Sequence, residues 1–205
     1  RKMSYDQISG FEKAMSENAL IQGVWFEPEY KRLYPQNTLA CDVIGFSGAD
    51  NNGSYGLEEY YNDILNGTTG REYGYLTEDA TLERTVKAAV DGNTIHTTID
   101  SNIQAIVEKY LKQFNDEFTN QVREGNGAEN LGAVIMEVDT GRILAMASYP
   151  VYDLNNVQDP TPMIGSFMVE QTTNANGYTV INKTDTVINQ AVIESMTEAQ
   201  KYLNL

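Results

Sequence analysis

The stretch Ala133-Val-Ile-Met-Glu-Val-Asp-Thr-Gly141-Arg-Ile-Leu-Ala-Met-Ala-Ser148-Tyr-Pro150-Val-Tyr-Asp-Leu-Asn155 decides how the rest of this 205-residue chain is read. Two apolar runs, 133–138 and 143–147, flank Asp139-Thr140-Gly141. That pattern predicts a β-hairpin, with Gly141 available for the left-handed turn position. Only Glu137 interrupts the apolar runs, so the hairpin is expected to be covered on both faces.

Working upstream, Ile103, Ile106, Val107, Tyr110, Leu111, Phe114 and Phe118 repeat at intervals of three and four, which predicts one continuous amphipathic helix. Ser101-Asn102-Ile103-Gln104 has the capping-box spacing and marks its start, while Gly125, Gly127 and Gly132 end it. Before it, residues 94–99 form a β-branched run that stops at Asp100. Further upstream, residues 57–65 read as one short helix stopped by Gly67, and residues 45–56 as a loop rich in Gly and Asn. Residues 39–46 fit helix or strand, and residues 23–28 read as a strand ended by proline. Residues 4–20 carry Ile8, Phe11, Met15 and Leu20 at near-helical spacing, interrupted by Gly10. Downstream, residues 149–162 are irregular, 165–177 are undecided, 178–181 read as a strand and 191–203 as a terminal helix.

Composition excludes several functions. With 14 Lys+Arg against 29 Asp+Glu, the formal net charge of −15 works against phosphate-tracking nucleic-acid binding and against anionic lipid. A 41% hydrophobic content is too high for a disordered chain. Cys41 is the only cysteine, so no internal disulfide or cysteine-based zinc site can form. Acidic and apolar neighbours should raise its thiol pKa, which makes it a small filler rather than a nucleophile. His96 has no second histidine with which to bind metal. Adjacent carboxylates such as Glu58-Glu59 and Asp116-Glu117 do not face one cleft and read as solvated acidic surface. No metal and no cofactor is expected. No run approaches the roughly 20 apolar residues of a membrane-crossing helix.

The 133–155 stretch resembles the first transpeptidase hairpin of the class B penicillin-binding proteins, with its TGxILAMAS core and the PxYDxN segment after it. Asp91-Gly92 and Thr98-Ile99-Asp100-Ser-Asn-Ile103-Gln104 are similar to the family's DGxxxxxTIDxxIQ box. Arg32-Leu-Tyr34-Pro35, Leu39-Ala40, Ile44-Gly45-Phe46, Gly53-Ser-Tyr-Gly56-Leu-Glu58 and Tyr60-Tyr61-Asn62 resemble the boxes of its pedestal. Four boxes in the family's order cover residues 1 to about 155. The resemblance implies an α+β fold, with a non-catalytic pedestal at 1–92 followed by part of a penicillin-binding, serine β-lactamase-like transpeptidase domain at 93–205. It implies structural roles for Arg32, Pro35, Gly53, Gly56 and Glu58 in the pedestal, and for Thr140 and Gly141 in the hairpin. Arg32 and Glu58 are expected to form a buried two-pronged pair that fixes how two lobes meet. Asn37 stands where the family often has glycine, a mild departure because asparagine tolerates the left-handed region.

The family's catalytic spelling is S-x-x-K, then S-x-N, then K-T-G, because a lysine amine must lie beside the serine hydroxyl. Ser166 and Ser195 lack the lysine, Ser16-Glu17-Asn18 lies in the pedestal, and Lys183-Thr184-Asp185 has aspartate where glycine is required. No catalytic residue is therefore assigned. The first residue is not Met, and the chain reads as the front part of a longer peptidoglycan D,D-transpeptidase. Such a parent would take stem peptides and β-lactams and contact division or elongation membrane proteins through the pedestal. It would stand on the outer face of the bacterial cytoplasmic membrane, held by an N-terminal anchor absent here. The alternative is an inactive divisome scaffold or wall-binding module, with Tyr60, Tyr61, Tyr73 and Tyr75 as glycan-facing aromatics.

Overall fold

The computed structural model describes every residue except 1, 2, 19, 25, 27–30, 49, 77–81 and 205. The chain divides into two compact units, residues 1–31 and 32–205.

The first unit is built on helix α1 (Tyr5–Glu17), which runs through Gly10 and stops short of Leu20. Its first turn is closed by the Gln7 side chain, which accepts from the Ser4 amide at 2.9 Å. Phe11 meets Phe26 edge to face, with ring centroids 5.9 Å apart. Gly23, Val24 and Phe26 form no strand, and the rest of that expected strand, Trp25, Glu27 and Pro28, lies outside the described residues.

In the second unit, turns over 35–40 lead into α2 (Cys41–Ile44) and β1 (Phe46–Ser47), so the undecided 39–46 segment is both helix and strand. β1 pairs antiparallel with β2 (Gly53–Ser54), giving the expected 45–56 loop a small ladder. The single helix expected over 57–65 is two, α3 (Gly56–Tyr60) and α4 (Asn62–Leu65), broken at Tyr61 with φ −107° and ψ 20°. The break accompanies a tie of Asn62 back to β2, its side-chain oxygen accepting from the Gly53 amide at 2.8 Å. A hairpin that the sequence reading missed, β3 (Arg71–Leu76) with β4 (Leu82–Lys87), follows.

The β-branched run 94–99 forms no strand. It touches the following hairpin through the Thr98 hydroxyl, which donates to the Ile143 carbonyl at 2.6 Å, and the Asp100 amide, which donates to the Leu144 carbonyl at 2.8 Å. Helix α5 (Ser101–Phe118) is capped by Asp100, not by a Ser101 box, because the carboxylate accepts from the amides of Asn102 at 2.8 Å and Ile103 at 3.1 Å. Gln104 is drawn into the hairpin instead of returning to the cap. That hairpin is β5 (Leu131–Met136) with β6 (Ile143–Tyr149), and Gly141 takes φ 72° in its turn. It is covered on one face only. Ala145 and Ala147 are buried, whereas Val134, Met136 and Met146 on the alternate face are exposed. Ile106, Tyr110 and Phe114 of α5 are exposed as well, while its buried positions are Gln104 and Asn115.

After a 3₁₀ turn (Thr161–Met163), β7 (Phe167–Thr173) and the nine-residue β8 (Thr179–Val187) form a long hairpin where sequence suggested only a strand over 178–181. The terminal helix is two, α6 (Gln190–Ser195) and α7 (Glu198–Asn204), because Met196 leaves helical geometry at ψ 140°. Its side chain joins Met163, Ile188 and Ile193 in a small core to which Met168 and Val192 pack.

Candidate functional site

Residues 32–60 and 148–155 converge on one polar cluster. Arg32 and Glu58 meet in a two-pronged contact, Nε to Oε1 at 2.9 Å and Nη2 to Oε2 at 3.0 Å. Tyr34 donates its hydroxyl to Glu58 Oε1 at 3.3 Å and accepts from the Ser47 amide at 2.8 Å. Glu58 is thus buried and partnered, which corrects the reading of Glu58-Glu59 as solvated surface; Glu59 itself is exposed and accepts from the Tyr55 amide at 2.9 Å. The hydrogen bond from Glu58 holds the Arg32 guanidinium above its ordinary pKa, with burial acting against it. Burial first, then the Glu58 charge, pushes the Tyr34 hydroxyl up to about 12.

Asn155 clamps the same turn. Its side chain accepts from the Tyr34 amide at 3.0 Å and donates to the Tyr34 carbonyl at 2.8 Å and to Asn37 Oδ1 at 2.9 Å. Asn37 adopts φ 49°. Beneath lies an apolar cluster of Tyr34, Cys41 and Leu154, with Ile44, Phe46, Val151 and Tyr152 against it. Burial raises the Cys41 thiol to about 11, and the Tyr152 hydroxyl, which donates to the Cys41 carbonyl at 3.2 Å, is raised by burial too. A thiol so held is a poor nucleophile. Pro35, Val43, Ile44, Leu57, Ile99 and Leu154 are among the residues lining a half-open groove of about 250 Å³.

Gly53 and Gly56 are required by close approach. A Cβ on Gly53 would lie 2.0 Å from the Glu58 carbonyl oxygen, and one on Gly56, at φ 53°, 2.4 Å from that of Val43. Thr140 and Gly141 sit apart from this cluster, at the β5–β6 turn, where Thr140 donates its hydroxyl to the Glu137 carboxylate and the Gly141 amide bonds the Glu137 carbonyl at 2.8 Å.

A second polar joint ties α2 to α5 and β6. Gln104 is fully buried and satisfies both backbone groups of Met146, donating to its carbonyl and accepting from its amide at 2.9 Å each. Glu108 Oε1 accepts from Gln104 at 2.8 Å and from the Ala40 amide at 2.7 Å. Ser148 donates to the Asp42 carboxylate. Sequence reasoning passed over Tyr34, Asn155 and Glu108 as site residues and took Gln104 for a cap. The signal available was a glutamine and a glutamate one helical turn apart, on the polar side of the apolar stripe.

No nucleophile and base are paired at the serines considered. The Ser195 hydroxyl donates to the Val192 carbonyl at 2.7 Å, that of Ser16 to the Lys13 carbonyl at 2.7 Å, and Ser166 accepts from Asn126 at 3.2 Å. Lys183 pairs with Glu129 and lies 4.1 Å above the Phe167 ring, so the Lys183-Thr184-Asp185 segment braces the β7–β8 hairpin. Among the described residues no cluster of His, Cys, Asp or Glu could hold a metal ion, and no helix is long and apolar enough to cross a membrane.

The family described as the penicillin binding protein A dimerisation domain matches residues 14–95. The peptidoglycan D,D-transpeptidase FtsI of Buchnera aphidicola subsp. Schizaphis graminum is 32% identical over 158 residues, 74% of this chain and 25% of that protein. Stage V sporulation protein D of Bacillus subtilis is 32% identical over 160 residues, 75% of this chain and 23% of that protein. The crystal structure of Penicillin Binding Protein 2X from Streptococcus thermophilus aligns with a TM-score of 0.58 at 26% identity, over 82% of this chain and 26% of that one. The chain spans about a quarter of the length of the curated relatives it matches. With its boxes in the family's order, its mixed helix and strand fold and these matches, the chain belongs to the class B penicillin-binding proteins, whose pedestal region it carries.

Proposed function

We propose that the chain supplies the pedestal, residues 1–92, and the opening part of the transpeptidase domain, residues 93–205, of a peptidoglycan D,D-transpeptidase. The observation that carries this reading is the 32% identity to a D,D-transpeptidase over 158 residues that include no S-x-x-K serine. In the whole enzyme a serine hydroxyl attacks the carbonyl of a D-Ala-D-Ala bond and the terminal D-Ala leaves. The amine of a neighbouring stem peptide then takes the acyl group from the serine. A β-lactam would acylate the same serine. The residues present here support that chemistry from a distance. Arg32, Pro35, Gly53, Gly56 and Glu58 hold the pedestal turn, and Thr140 and Gly141 close the β5–β6 hairpin. In this reading the protein works on the outer face of the cytoplasmic membrane, and the pedestal receives division or elongation membrane proteins.

An antibody raised against this chain should precipitate, from the producing bacterium, a polypeptide labelled by a fluorescent penicillin. Isolated chain of this sequence should stay unlabelled. An unlabelled precipitate, or labelling of the isolated chain, overturns the reading.

A further inference from the structure

We propose that the β7–β8 hairpin is a glycan-contacting arm, its ligand the uncharged N-acetylated sugar backbone of the wall polymer; this rests on the wall assignment above. Residues 171–182, Gln-Thr-Thr-Asn-Ala-Asn-Gly-Tyr-Thr-Val-Ile-Asn, are the longest run without Asp, Glu, Lys, Arg or His in a chain of net charge −15. The net negative charge of the chain works against a polymer bearing carboxylates, and this run adds no carboxylate of its own. The run offers what sugars bind: amides and hydroxyls for the hydroxyl and acetamido groups, and an aromatic ring for the apolar face of a pyranose. Tyr178 is 69% exposed.

The arm is preorganised. The Asn174 side chain accepts from the amides of Asn176 and Tyr178 at 3.0 Å each, and the Asn174 amide donates to the Tyr178 carbonyl at 2.9 Å, which fixes the tip. The register Glu170↔Asn182 and Thr172↔Val180 places Val180 and Asn182 on one face with Thr172, where Glu170 bounds the uncharged run at its base, and Tyr178 leads into that strand from the turn. There Asn182 donates to the Thr172 hydroxyl at 2.6 Å, and that hydroxyl donates to the Val180 carbonyl at 3.5 Å, which leaves the carboxamide oxygen and second N–H of Asn182 for a ligand. The base is held by the Met163–Ile188–Ile193–Met196 core and by Asn204, whose side chain accepts from the Val169 amide at 2.7 Å. The absence of cations in the run disfavours a polyanion.

The test is an amide-shift titration of the isotope-labelled 205-residue chain with the uncharged tetramer of β-1,4-linked N-acetylglucosamine, and separately with the stem peptide alone. Saturable shifts confined to residues 171–182 with the sugar, and none with the peptide, are expected. Tyr178→Ala should weaken binding on the order of five-fold and Tyr178→Phe should keep it. Should Tyr178→Ala disturb the cross-strand amides, Asn182→Asp, which puts a charge into the run, should weaken binding with the tip intact. No saturable change at 171–182, shifts with the peptide alone, or full binding by Tyr178→Ala or Asn182→Asp overturns the proposal. Penicillin labelling is independent of this titration, so the two readings fail separately.

Discussion

Removing the two partners of the Arg32–Glu58 pair one at a time should cost unequal amounts, because the two charges differ in their access to water. The Arg32 side chain is 40% exposed and that of Glu58 10%. Glu58→Ala removes an acceptor used by Arg32 Nε, Arg32 Nη2 and the Tyr34 hydroxyl. The guanidinium left behind can rehydrate, so the charge-assisted bonds count for the low end of about 1.5–3 kcal/mol, and the tyrosine bond adds roughly 1 kcal/mol. The sum, about 2–3 kcal/mol, lowers the melting temperature by about 5–10 °C for a unit of this size. Arg32→Met leaves the carboxylate buried with only the tyrosine hydroxyl. Stranding a buried charge costs about 3–5 kcal/mol, or roughly 10–15 °C.

The double variant Arg32→Met/Glu58→Leu strands no charge and should recover much of the Arg32→Met loss. Thermal unfolding followed by near-ultraviolet circular dichroism and by calorimetry measures all three. The reasoning fails if Glu58→Ala melts with the parent, if it costs more than Arg32→Met, or if the two losses simply add in the double variant.

Other outcomes follow from the same geometry. Gly53→Ala and Gly56→Ala should each cost about 3 kcal/mol in urea unfolding, since each Cβ would press into a backbone carbonyl; a neutral result at either position refutes the close approach. Cys41 and Tyr34 are held at about 11 and about 12 against ordinary values of 9.0 and 10.0, so the unfolded chain ionises first. Stability should therefore be full below about pH 9 and fall progressively to pH 12, and a urea midpoint unchanged at pH 11 would contradict this. Glu129 is held below its ordinary value by Lys183 and then Arg123, so its hold on β8 through Lys183 is present at neutral pH and lost as pH falls through that lowered value. Amide protection in β8 should fall in acid or high salt, and Glu129→Gln should show the lower protection at neutral pH with no further acid dependence.

Sequence periodicity made α5 and the β5–β6 hairpin legible because both depend on local repeats of apolar residues and, at Gly141, on a positive φ. It did not reach β3, β4 and β7, whose apolar and polar residues show no clean alternation, and it ran α3 into α4 because the break at Tyr61 goes with a bond from the Gly53 amide, outside the helix. At the site, Arg32 and Glu58 stand out within their boxes. Tyr34, Asn155 and Glu108 do not, because each acts through bonds to backbone groups far along the chain, as when Asn155 bonds Tyr34 across 121 residues. Such partners leave no spacing to read.

The free edge of β6 shows why a β-branched run can lie beside a sheet without becoming a strand. One side of β6 pairs with β5; on the other, the Ile143 carbonyl takes the Thr98 hydroxyl, the Leu144 carbonyl takes the Asp100 amide, and both groups of Met146 take the Gln104 side chain. Side chains therefore do most of the pairing that a neighbouring strand would do by main chain, and the edge is closed to further strands. This docking also explains the orientation of α5. Held by directional bonds from Gln104, the helix packs a mixed face, with Ile103, Val107, Leu111 and Phe118 half-buried on the side of Gln104 and Asn115, which leaves Ile106, Tyr110 and Phe114 facing outward. Apolar burial alone would have rotated the helix to hide those three side chains as well; two unsatisfied backbone groups on Met146, at roughly 1–3 kcal/mol each, oppose that rotation. The same bonds carry α2 along, since Glu108 grips both Gln104 and the Ala40 amide, so the placement of the pedestal turn and of β6 is set by one polar relay.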